Sequence, residues 1–129
     1  MYKDDWAACL GYLNGFKFRA VRLIVDTGLH AKRWTREQAV VFAMQATGRA
    51  RDGITSEIDR YVSWPGQACG YKIGQTEIVR LRTKAKAALG ARFDLKAYND
   101  LVVKTGAVPL MVLGGQVDDF IAQGGRSSL

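Results

Sequence analysis

Apolar residues recur along the chain at intervals of three and four, and glycine, proline and short polar breaks cut that pattern into about six lengths. From about Trp6 to Val25 the apolar positions Leu13, Phe16, Ala20 and Leu23 predict a first helix, with Gly28 placed to cap its end. Thr35 with Gln38 three residues on has the form of a capping box, so a second helix is expected through Ala39, Phe42 and Ala43 to about Gly48. Arg49 to Gly53 then reads as a loop. A short third helix is expected from about Thr55 or Ser56 to just before Pro65, and a long fourth from there to about Leu89, stopped by Gly90. Asp94 can cap a fifth helix reaching about Lys104, with Gly106 ending it, and Pro109 can open a sixth toward Ile121. No stretch alternates with the period of a strand. The predicted fold class is therefore all-α, an irregular array of about six helices.

The glycines qualify this picture. Gly70 and Gly74, four apart in the first turns of the fourth helix, weaken it and also let another chain or a ligand come close. The adjacent Gly114 and Gly115 each cost the sixth helix about 1 kcal/mol against alanine. Residues 124–129 are expected to fray.

With 129 residues and 48% hydrophobic content, the chain has room for one domain spanning 1–129. No run approaches the roughly 20 apolar residues that cross a bilayer. The opening Met1-Tyr2-Lys3-Asp4-Asp5-Trp6 has neither a basic nor an apolar leader region, so a soluble chain is expected, cytoplasmic if this start is the natural one. A formal charge of +7 raises the question of nucleic acid or an anionic surface. The basic residues are spread from Lys3 to Arg126, however, and the densest run, Arg80 to Lys86, interleaves with Ile78, Leu81, Ala85 and Ala88 at helical spacing. That pattern reads as a solvated helix face without an aromatic stacking platform, which disfavours nucleic acid as a partner. Cys9 and Cys69 are too few for a disulfide framework, and with a single histidine they cannot complete the usual four-ligand zinc site. Both read as buried free thiols.

Chemistry-bearing side chains concentrate in Ile58 to Gly74, where a Pro-Gly break separates two helical patterns and gathers Arg60, Tyr61, Gln67 and Tyr71 near an elbow. Arg60 can clamp a carboxylate through its planar fork, or pair with Glu57, Asp59 or Asp26, and Gln67 can orient a peptide group. Tyr61 and Tyr71 compete for a donor role, either of them also able simply to pack its ring and bond one neighbour; Tyr71 is preferred because it follows the break and is flanked by Gly70 and Gly74, where a ligand can come close. His30, the only histidine, lies just beyond the predicted end of the first helix. Phosphate-loop, dinucleotide-binding and serine-elbow motifs are absent.

Together with Asp26-Thr27-Gly28-Leu29-His30, the run Trp34-Thr35-Arg36-Glu37-Gln38-Ala39-Val40 and Gly90-Ala91-Arg92-Phe93-Asp94-Leu95, this elbow resembles the C-terminal part of the bacterial family called domain of unknown function 885. The resemblance runs from about Leu10 to about Val117, with the motifs in the family's order, although the Gly114-Gly115 pair departs from it. It implies a longer helical protein similar to zinc metallopeptidases, whose His-Glu…Pro-Gly-His-His segment lies upstream of the part present here. Zinc is thus implied for the full-length family only, and no cofactor for this chain. The resemblance gives His30 and Tyr71 oxyanion-side roles in the full-length context, with Arg60, Tyr61 and Gln67 toward a peptide substrate. Parent helices would cover apolar residues such as Trp6, Phe16, Phe18 and Trp34, so the chain by itself is expected to form a homo-oligomer. The competing reading is an independent interaction module that holds a protein or nucleic-acid partner on its basic or exposed apolar surfaces.

The purified chain is expected to hold no stoichiometric zinc and to hydrolyse no peptide, because one histidine and two distant cysteines do not supply a ligand set. Elemental analysis finding one tightly held zinc per chain would overturn this.

Overall fold

The computed structural model describes residues 4–126. It is all-α, with α1 at Trp6–Ala31, α2 at Arg36–Thr47, α3 at Arg51–Ser63, α4 at Gln67–Leu89, α5 at Leu95–Thr105 and α6 at Leu110–Ala122. A 3-10 turn, Gly90–Arg92, follows α4, and no strand occurs among the described residues. No helix is long and apolar enough to cross a membrane.

The residues sort into two compact units that divide between Ile73 and Gly74, inside α4. In the first unit α1, α2 and α3 pack on one another around Val21, Val25, Val40, Ala43, Ile54 and Ile58, with Ala68 from the first turn of α4. In the second, α4 contributes Leu81, Ala85 and Leu89, four apart along one face, to a core shared with Tyr98 and Leu101 of α5 and Leu113, Val117 and Phe120 of α6. The fully buried Tyr98 hydroxyl donates to the Ile78 carbonyl at 2.7 Å, satisfying its one polar atom.

Local signals place most helix ends. Thr35 and Gln38 form the reciprocal capping box, Gly48 ends α2 in the left-handed conformation, and Asp94 caps α5 by accepting from the Lys96 amide. α4 stops where expected, at Gly90 with φ 55°.

Three expectations are corrected. α1 does not stop near Val25 but runs to Ala31, because Gly28 is not its cap. The chain turns back through Arg33, held at φ 55°, and lays the Trp34 ring on Gly28, where an added Cβ would sit 2.5 Å from a ring carbon. The Trp34 amide donates to the Gly28 carbonyl at 2.9 Å. His30 therefore lies in the last turn of α1 rather than in a connection. α3 begins at Arg51, earlier than the predicted Thr55, since Ile54 already belongs to the core stripe it shares with Ile58 and Tyr61. Gly53 suggested a loop, yet open space surrounds it inside the helix.

After α6 the backbone closes at the start of the predicted tail, 124–129. The Gly124 and Gly125 amides donate to the carbonyls of Ile121 and Phe120, both glycines at positive φ, which closes α6 with a Schellman motif. Residues 127–129 lie outside the described residues. Lastly, Cys69 is buried as expected but Cys9 is only partly so.

These contacts separate two kinds of glycine. Gly28→Ala is expected to cost about 1–3 kcal/mol, since the Trp34 ring must move. Gly114→Ala and Gly115→Ala meet no atom within 4 Å and should each stabilise by about 1 kcal/mol. Denaturant unfolding checks the opposite signs.

Candidate functional site

The elbow is built on three helices of the first unit. Phe18, Arg22 and Asp26 follow one another at intervals of four on α1, Glu57, Arg60 and Tyr61 share a face of α3, and Gln67 and Tyr71 are four apart at the start of α4. Helical spacing therefore delivers each group to the same place before any tertiary contact is considered.

At its centre is Oε2 of Glu57. It accepts from Arg22 Nη2 at 2.8 Å, Arg60 Nη2 at 2.9 Å and the Tyr61 hydroxyl at 2.7 Å. Burial opposes the Glu57 charge, but the hydrogen bonds from Tyr61, Arg60 and Arg22 prevail and hold the carboxyl below the ordinary glutamate range. Tyr61 is buried and fully engaged, since its hydroxyl donates to Glu57 and accepts from Arg22 Nε at 3.1 Å. Burial first, and then the hydrogen bond to Glu57, push its phenol far above the ordinary tyrosine range, so it stays neutral.

From this hub the network reaches the surface. Arg60 Nη1 donates to Gln67 Oε1 at 2.6 Å, and Gln67 Nε2 donates to the Tyr71 hydroxyl at 3.3 Å. The Arg22 guanidinium lies against the Tyr71 ring, 5.0 Å from its centroid, and against Phe18 at 4.7 Å. Tyr71 is 46% exposed. The Gln67 hydrogen bond, followed by the charges of Arg22 and Arg60, holds the Tyr71 hydroxyl below the ordinary tyrosine range. Its oxygen accepts from Gln67, and no hydrogen bond given by its own proton is present among the described residues.

His30 has a different engagement. Its Nε2 lies 3.1 Å from the Tyr61 carbonyl. A carbonyl only accepts, so Nε2 carries the proton and caps one of the carbonyls that the last turn of α3 leaves without a helical partner. Tyr61 thus meets His30 through its backbone and Glu57 through its side chain, while no bond joins His30 to Tyr71.

A second carboxylate organises the break itself. Asp26, 3% exposed, accepts the Gly66 amide on both oxygens at 3.1 Å, which caps the start of α4 from a distant helix. Burial, and then the neighbouring Asp26, push the Cys69 thiol up, leaving it a poor nucleophile.

Sequence reasoning named Arg60, Tyr61, Gln67 and Tyr71, and the structure brings those four together. It missed Arg22 as the residue that joins α1 to them and treated Glu57 only as one of three partners for Arg60. The available signal was Arg22 standing four positions from both Phe18 and Asp26 on one stripe of α1. Among the described residues no group of three or more His, Cys, Asp or Glu side chains is placed to hold a metal ion. The described residues by themselves therefore supply no zinc ligand set.

Glu57→Gln should lower stability by about 2 kcal/mol at neutral pH, less than a fully buried pair because the side chain is 29% exposed. The sign of the pH dependence follows from the depressed carboxyl. Its contribution is present above the unfolded value, about 4.3, and is lost as pH falls through the lower folded value. Urea unfolding of parent and variant should show a gap that is constant near neutrality and closes in acid; a gap that widens in acid contradicts the assignment.

The described geometry can be set beside known proteins. No curated protein matches the chain. A solved structure described as "the putative lipoprotein from Colwellia psychrerythraea" is 50% identical and superposes with a TM-score of 0.92 over 95% of this chain. This chain spans only 21% of the length of that protein. The model of the family described as "Bacterial protein of unknown function (DUF885)" matches residues 1–117, and the chain accordingly belongs to that bacterial family.

Proposed function

We propose that the chain is a helical segment of a larger protein of this family, non-catalytic by itself, which presents the Tyr71 hydroxyl and the Arg60–Gln67 pair to the substrate side of a site completed elsewhere. One observation carries this reading. The Tyr71 oxygen receives a donor from Gln67, its ring lies against Arg22, the residue is 46% exposed, and its surroundings hold the phenol below the ordinary tyrosine range. A phenol so placed is a preorganised donor for an oxygen on which negative charge develops, or for a substrate carbonyl or carboxylate. Tyr61, with both its hydrogen-bonding capacities spent, serves as the scaffold that positions Arg22 and Glu57. The metallopeptidase-like character and the zinc that the resemblance implies would, on this reading, belong to the part of the protein beyond the segment. That the chain spans 21% of its solved relative supports a part in a larger whole.

The role of His30 is narrower than the resemblance alone implies. The Nε2–H of His30 is committed to the Tyr61 carbonyl. We assign it the positioning of the end of α3, and through that of Glu57 and Arg60.

A second reading, an interaction module, is favoured by the first half of α1. Trp6, Leu10 and Leu13 fall on one helical stripe and are 78%, 52% and 55% exposed. In the larger protein this stripe would be covered by the remainder of the chain; alone, it would drive a homo-oligomer.

In a full-length family protein that turns over a peptide, Tyr71→Phe is expected to reduce kcat by about 10²–10³, the scale of one oxyanion donor. His30→Ala should act mainly through stability, with a fall in Tm larger than its fall in kcat/KM. Unchanged turnover in Tyr71→Phe removes the donor role. For the second reading, sedimentation across micromolar to millimolar concentration should show self-association that Trp6→Ser with Leu10→Ser abolishes; a strict monomer contradicts it.

A further inference from the structure

The basic run of α4 does not behave uniformly in the second unit. Arg80 is bound by both oxygens of Glu77 at 2.7 Å, and Lys84 is paired with Asp118. Arg82 and Lys86, four apart on another face, have no acidic partner among the described residues. Like charges at this spacing repel each other by a few tenths of a kcal/mol, while Lys86, in the last turn of α4, is favoured there by the helix dipole.

Both border a groove of about 520 Å³ whose other walls are Thr83, Phe93 and Leu95, a volume within the range of ligand sites. The Phe93 ring, packed near Tyr98, and the 49% exposed Leu95 give the groove an apolar floor. Thr83 spends its hydroxyl proton on the Val79 carbonyl at 3.0 Å, and Asp94 is turned to the Lys96 amide. The two cations are thus the groove's charged donors, and Asp94, between Phe93 and Leu95 in the sequence, is occupied with a helix cap.

We propose that this groove is a binding site for an anionic amphiphile, with the negatively charged head held between Arg82 and Lys86 and the apolar chain laid over Phe93 and Leu95. A guanidinium and an ammonium together suit a carboxylate or phosphate head, whereas a neutral amphiphile would leave both cations unanswered. The head can come from a free fatty acid or from an anionic lipid in a membrane, since the two share this chemistry. The site is independent of the elbow and of the function proposed for it.

The test titrates the chain with sodium decanoate below its micellar concentration, with decanol as the uncharged control, and separately with phosphatidylglycerol and phosphatidylcholine vesicles. Decanoate is expected to bind saturably, shifting the backbone amide resonances of Arg82, Lys86, Phe93 and Leu95, and to bind at least about tenfold less tightly to Arg82→Gln with Lys86→Gln. Both positions are exposed, and circular dichroism confirms that the double variant keeps its helices. Decanoate binding without co-sedimentation on phosphatidylglycerol vesicles identifies a free amphiphile. Co-sedimentation on phosphatidylglycerol but not phosphatidylcholine, lost in the double variant, identifies a membrane lipid. Failure of both probes to bind, equal binding of decanol, or binding unchanged in the double variant overturns the proposal.

Discussion

Oε2 of Glu57 receives donors from two helices, and a third helix is joined to it through one further side chain. Arg22 reaches it from α1, Arg60 and Tyr61 from within α3, and Arg60 passes the connection to Gln67 at the start of α4. Two guanidiniums in a half-buried setting would repel each other without a negative charge between them, and that carboxylate would be costly to desolvate without its three donors. Each group is tolerable only because the others are present. The exposed end of the network, the Tyr71 hydroxyl, inherits its orientation from this charge balance.

A second constraint works on the backbone. Asp26 satisfies the Gly66 amide beside the Pro65 break, and His30 satisfies the Tyr61 carbonyl near the end of α3. Both residues sit on the last turns of α1, which are present only because Gly28 lets Trp34 fold back instead of ending the helix. A glycine that first reads as a stop signal is thus the reason that two polar groups can brace the elbow from below. Where the Pro65-Gly66 break interrupts the helices, the freed backbone groups are met by side chains from a distant segment, as burial requires.

How much of this was legible depends on the range of the interaction. Helix number, the capping box at Thr35, the left-handed stop at Gly48, the cap at Asp94 and the stop at Gly90 are set by residues within four positions of one another, and the chain states them directly. The gathering of Arg60, Tyr61, Gln67 and Tyr71 was also legible, because proline and glycine confine the geometry of a short elbow.

The end of α1, the start of α3 and the order at Gly124-Gly125 were not legible. In each, a glycine carries opposite meanings according to whether a ring, a core or open space lies beside it. The sequence favours Tyr71 over Tyr61 only through the glycines that flank it, Gly70 and Gly74. That Tyr61 is buried and Tyr71 exposed, and that Arg22 arrives at Tyr61 from a segment 39 residues away, are properties of the packed helices. Local hydrogen bonds and steric limits determine where helices begin and break. Which polar group is buried in a network and which stays at the surface is decided only when distant charges are brought within bonding distance.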